Sequence, residues 1–162
     1  MVQTKDIKIS VEVFDSLEEL SESDKGICLA ASTALENSHS PYSEFKVGSA
    51  IKLSSGKVVL GSNQENVAFP SGLCAERVAL FHAGAYYPND QIDSIAITAF
   101  TSKFLISSPV TPCGSCLQVI AEYEKKQGAE ISILLYCLNG QIWKGKGIRT
   151  FLPFAFFEER LK

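Results

Sequence analysis

The chain has 162 residues, 46% hydrophobic and 20% charged, enough for one domain with a sizeable core and too few for two ordinary ones. A net charge of −3, with lysines and arginines scattered among acids, gives no basic footprint for nucleic acid. No apolar run approaches a membrane span, residues 1–10 lack an apolar leader core, and five cysteines is an odd count, so the expectation is a cytoplasmic protein with free thiols and a small-molecule substrate.

In chain order, Ile7, Ile9, Val11 and Val13 alternate with polar residues and predict a strand over Ile7–Phe14, an edge or interface addition ahead of the main core. Apolar residues at helical spacing predict a helix over Ser21–Asn37, with Ser21 or Ser23 as N-cap; Pro41-Tyr42-Ser43 then opens a loop. Phe45–Leu53 and Val58–Asn66 flank the turn Ser54-Ser55-Gly56-Lys57 and read as a β-hairpin. After Pro70-Ser71-Gly72, an Ala-, Leu- and Val-rich helix is expected over Leu73–Ala85, and a buried strand over Ile92–Phe100. Pro112 suits a helix start, giving a helix over Cys113–Lys126. Short strands over Ile131–Tyr136 and Gln141–Lys144 flank Asn139-Gly140, and the tail Phe151–Phe157 is strongly aromatic. Strands alternating with helices, plus one hairpin, give an α/β layered domain with a mixed sheet.

The chemistry concentrates between Cys74 and Cys116. Cys74-Ala75-Glu76 is followed, after an intervening segment, by Pro112-Cys113-Gly114-Ser115-Cys116. Three convergent thiolates suit zinc. A closed structural site would need Cys28 or Cys137 as a fourth ligand, whereas three ligands leave a position for water, and a Glu two residues after the first ligand favours that open arrangement. Cys113 and Cys116 share one helix face and lie in its first turn, where the dipole favours thiolate. Cys74 and Glu76 would diverge in mid-helix, so they can converge only on a metal beyond the helix end. Three thiolates on a divalent ion leave net negative charge, and Arg77 is placed to draw some of it back. Zinc brings its water to a pKa of about 7, and Glu76 is the general acid/base beside it. His82 is about 12 Å along the helix from Cys74, a poor ligand position. Asn63 and Glu65, two apart in a strand, would share one sheet face.

The C-x-E and P-C-x-x-C blocks are a known signature of the zinc deaminases. Together with Pro41-Tyr42-Ser43-Glu44-Phe45-Lys46-Val47-Gly48 and Asn63-Gln64-Glu65-Asn66, they make residues 41–156 resemble the short, homotetrameric cytidine deaminases. The resemblance implies a three-layer α/β/α fold with a five-stranded mixed sheet, spanning 1–162 as a single domain with residues 1–20 as an N-terminal extension of unassigned role. It implies one Zn²⁺ per subunit on Cys74, Cys113 and Cys116, and hydrolysis of cytidine and 2′-deoxycytidine to the uridine counterparts and ammonia, with Glu76 shuttling protons. Asn63 and Glu65 would hold the sugar and Phe45 would stack on the base. The Ala75 backbone would contact the base carbonyl, and the Thr111 backbone the departing amine. Phe69 and Phe156 would complete sites of neighbouring subunits. Leu117 stands where relatives often carry Arg, leaving charge compensation to Arg77, and Phe69 replaces a frequent Tyr.

Overall fold

The computed structural model describes residues 2–158. The main elements are β1 (Glu12–Phe14), α1 (Glu22–Ala34), β2 (Lys46–Leu53), β3 (Val58–Ser62), α2 (Ala75–Tyr86), β4 (Ile92–Phe100), α3 (Gly114–Gln127), β5 (Ser132–Tyr136) and β6 (Ile142–Lys146). The strands form one mixed sheet in the order β1-β6-β5-β4-β2-β3. Among the strands of the described residues only β4 and β5 run parallel, and α3 is the crossover that a parallel pair requires.

Alternation along the central strands separates two cores. Ile95, Ile97, Ile133 and Leu135 face α2 and α3, where Leu80, Ala83, Leu117 and Ile120 meet them. Ala96 and Leu134 face the opposite side and pack with Ile27, Cys28 and Ala31 of α1. The layers are α1, the sheet, then α2 with α3. Two glycines set the helix-to-sheet distances. A Cβ on Gly48 would lie 2.1 Å from the Ala31 carbonyl oxygen, and one on Gly61 2.4 Å from the Ala75 oxygen and 2.6 Å from the Ala79 nitrogen. Gly61 therefore lets the first turn of α2 rest against β3.

Local signals place the helix ends. The Ser21 hydroxyl accepts from the Asp24 amide at 3.1 Å, making Ser21 the N-cap of α1. Gly128 closes α3 with φ +66°, the left-handed cap that glycine adopts without strain. Near that end, Glu124 Oε1 accepts the backbone N–H groups of Ile131 and Ile148, both at 2.9 Å. It ties α3 to the entry of β5 and to the 3₁₀ turn Ile148–Thr150, from which the aromatic tail departs. Burial holds the Glu124 carboxyl above the usual carboxylate range, against the two amides that favour its anion.

Several expectations need correction. The sheet has six strands and not five, because Glu12–Phe14 adds to the free side of β6, opposing Lys144, Trp143 and Ile142, with Phe14 packed against the α1-side core. The apolar alternation continues back to Ile7, yet only Glu12–Phe14 has a partner strand. The first helix stops at Ala34 and tightens into a 3₁₀ turn, Leu35–Asn37. The second hairpin strand ends at Ser62 and not Asn66, and β6 runs on to Lys146.

Candidate active site

Cys74 is the N-cap residue of α2 (φ −70°, ψ 153°), and Cys113 is the N-cap residue of α3 (φ −69°, ψ 162°). Both residues are extended, so their thiols sit just beyond the helix ends, where backbone N–H groups favour anionic sulfur. Cys116 follows one turn into α3. The three sulfurs lie within 4.8 Å of one another, with Cys113 and Cys116 at 3.5 Å. Zn–S bonds of about 2.3 Å in a tetrahedron set sulfur pairs about 3.8 Å apart, so this donor set fits zinc in type and size. Cys28 is fully buried in the α1-side core, and the Cys137 thiol lies 3.4 Å from the Ile106 carbonyl oxygen. Neither joins the cluster, and among the described residues the group has three protein ligands.

Charge is arranged around these sulfurs. The Arg77 guanidinium donates from Nη2 to the Cys74 sulfur at 3.7 Å. Hydrogen bonding from the Cys116 thiol, reinforced by Arg77, brings Cys74 down to about 5. Cys116, as donor in that pair and buried, is pushed up. Glu76, in the first turn of α2, is only 4% exposed. Burial pushes its carboxyl above the usual range, and the Cys74 charge adds to that rise. Leu117 is buried in the α2/α3 core, so that helix position faces away from the sulfurs and Arg77 is the guanidinium that serves them.

A cavity of about 660 Å³ opens above the cluster, within the size range of small-molecule sites. Its wall brings together Cys74, Cys113, Glu76, Arg77, Asn63 and Glu65, and Phe69 and Thr111 also border it. Ala75 lies behind the wall, fully buried at the start of α2. Two residues lie elsewhere. Phe45 turns its ring toward Phe104, centroids 6.3 Å apart, and Val47 lines the cavity in its place. Phe156 is 67% exposed on the outer side of α3, its backbone N–H and C=O both held by the Gln118 amide at 2.9 and 2.8 Å.

Asn63 and Glu65 reach the cavity by a route other than a shared sheet face. They follow the end of β3, where Gln64 makes single bridges to His39 and Leu73. Asn63 Oδ1 accepts from the Val47 amide at 2.8 Å and the Ser38 hydroxyl at 2.5 Å, and its Nδ2 donates to the Phe45 carbonyl at 2.9 Å. Glu65 Oε2 accepts the Tyr42 and Ser43 amides at 2.9 and 3.2 Å, and Oε1 accepts the Ser43 hydroxyl. That hydroxyl, with the two amides, holds Glu65 below the usual carboxylate range. Ser38, which orients Asn63, carries no sequence signal for this role.

The family model for the cytidine and deoxycytidylate deaminase zinc-binding region matches residues 21–128. The chain belongs to this deaminase family. It is 38% identical over 126 residues to a cytidine deaminase of Halalkalibacterium halodurans, covering 78% of this chain and 88% of that one. Identity to a cytidine deaminase of Sporosarcina psychrophila is 36% over 128 residues, 79% and 87% of the two chains. The 1.6 Å crystal structure of cytidine deaminase from Burkholderia pseudomallei superposes with a TM-score of 0.69 at 34% identity, over 81% of this chain and 97% of that one. The fold is that of the cytidine deaminases, and the three-sulfur cluster, a candidate zinc site, lies within the matched zinc-binding region.

Proposed function

We propose that the chain hydrolyses cytidine and 2′-deoxycytidine to the uridine counterparts and ammonia, with residues 1–162 acting as one deaminase domain in the cytoplasm. The observation that carries this reading is a buried carboxylate, Glu76, beside three convergent cysteine sulfurs at one end of a cavity that has Asn63 and Glu65 along its wall. Zinc, held by Cys74, Cys113 and Cys116, supplies when bound a Lewis acid that makes water reactive near neutral pH.

The chain's own residues do the rest. Glu76, raised by burial, can take a proton from water, give it to the ring nitrogen of the base, and pass another to the departing amine. Arg77 withdraws charge from Cys74. The Ala75 and Thr111 backbones address the base carbonyl and the amine, and Phe45 stacks on the ring only after turning away from Phe104. Both lone pairs of Asn63 Oδ1 are used, and one N–H of its Nδ2 is free to donate; Glu65 Oε1 has one acceptor position left beyond Ser43. One sugar hydroxyl can satisfy both, accepting from Asn63 and donating to Glu65. That arrangement favours a nucleoside over a free base. Phe69, 76% exposed beside the cavity, and Phe156 serve sites shared between subunits of a homotetramer.

Turnover is followed by loss of absorbance at the cytidine maximum, using zinc-loaded and chelated protein. Zinc-dependent loss with both nucleosides and none with cytosine is expected. A zinc-replete protein inert toward cytidine and deoxycytidine would sink the proposal.

A further inference from the structure

The family match begins at residue 21, and ahead of it lies the segment that alternates most regularly in the chain. Its apolar members are uncovered: Ile7, Ile9, Val11 and Val13 are 43, 50, 36 and 49% exposed. The ladder between β1 and β6 begins only at Glu12, and residues 2–11 carry no regular element. Because β1 is the outermost strand, its other side presents unpaired backbone groups that continue into this arm. An exposed, apolar, unpaired strand edge is a template for another strand.

The arm's own sequence identifies the partner. Laid antiparallel against a second copy in the register centred on Ser10, Ile9 falls opposite Val11 and Ile7 opposite Val13. In the same register Lys8 meets Glu12 and Lys5 meets Asp15. Directly opposed residues in an antiparallel pair share a face, so the apolar residues form one continuous stripe. The stripe lies on the face of Trp143, the residue opposite Val13. Centring the register on Ile9 instead would set Asp6 against Glu12, two like charges. The charge pattern thus favours the Ser10 register over the Ile9 one, and β1 already holds three residues of the arm, Glu12–Phe14, as strand.

We propose that the N-terminal arm, residues 5–15, is a homotypic interaction strand: two copies of this chain pair antiparallel about a two-fold axis at Ser10, joining their sheets edge to edge. The paired stretch spans roughly 35 Å and leaves the cavity and the sulfur cluster untouched.

The test is site-directed cross-linking in the full-length, zinc-loaded protein. Residues opposed across antiparallel strands have Cα atoms about 4.5–5.5 Å apart, and disulfides form across Cα separations of about 4.4–6.8 Å. Ser10→Cys should therefore link to itself under mild oxidation, identified as a position-10 to position-10 peptide under non-reducing conditions. Linking should be at least tenfold faster than through Thr4→Cys, a residue that the register does not oppose to itself. Adding Lys8→Glu to Ser10→Cys sets a carboxylate opposite Glu12 and should slow linking at least tenfold at low salt. All three substituted positions are exposed, and deamination serves only to confirm folding. Linking through position 10 no faster than through position 4, or undiminished by Lys8→Glu, overturns the proposal.

Discussion

Replacing Glu76 by Gln tests the proton shuttle with little change in shape. The side chain is almost fully buried at the start of a helix whose N-cap is a metal ligand, so an isosteric amide preserves packing while losing the ability to accept and return a proton. General acid–base groups contribute roughly 10²–10⁴-fold, or about 2.7–5.5 kcal/mol of barrier at 1.36 kcal/mol per decade. The structure argues for the upper part of that range. The other carboxylate on the cavity wall, Glu65, is committed to Tyr42 and Ser43 and held low, so it cannot substitute as a base. The assay pairs kcat, from cytidine absorbance, with zinc content by atomic absorption and with Tm. Full zinc, an unchanged Tm and a kcat lowered about 10³-fold or more are expected. A fully loaded Glu76→Gln protein turning over within tenfold of the parent would refute the role given to this carboxylate.

Glu124→Ala removes the acceptor for the Ile131 and Ile148 amides and should lower stability by about 2–6 kcal/mol in urea melts, since each orphaned buried group costs about 1–3 kcal/mol. Glu124→Gln keeps an acceptor and should largely retain that stability. Because burial raises the folded pKa of Glu124, its contribution is fully present below the unfolded value of about 4.3 and declines as pH rises through the higher folded value. The Gln variant should flatten that decline in melts taken across this interval. Gly61→Ala puts a methyl group into the backbone of α2 and should cost about 1–3 kcal/mol and reduce zinc retained on dialysis. Gly26→Ala, in α1 with nothing within 4 Å of the added carbon, should stabilise by about 0.5–1 kcal/mol. Chelation should abolish turnover and lower Tm, with both restored by added zinc.

Much of the fold could be read where burial and period agree. The apolar run Ile92–Phe100 coincides with β4, since a central strand covered on both faces has no polar side to blur it. Pro112 and Gly128 bracket α3 through their own backbone preferences. The alternation of Ile7–Phe14 marks an edge strand, and Glu12–Phe14 is one; what a linear pattern does not hold is that it joins the sheet on the exposed side of β6, and for those three residues alone. Within the site, the cysteine spacing and the C-x-E block located the donors. The committed hydrogen bonds of Asn63 were not legible, because they come from Ser38, Phe45 and Val47, brought together only when α1's end and β2 meet the end of β3. Phe45 facing Phe104 and not the cavity wall depends likewise on a loop contact distant in sequence.

The ligands stand on opposite flanks of β4 in the chain: Cys74 precedes it, and Cys113 and Cys116 follow it. No short stretch of nascent polypeptide can assemble the cage by itself, since α2 and α3 come into register only after β4 has found β2 and β5. Metal capture therefore requires α2 and α3 to be docked already on one side of the sheet. The ion would act as a late rivet, slowing the escape of finished molecules.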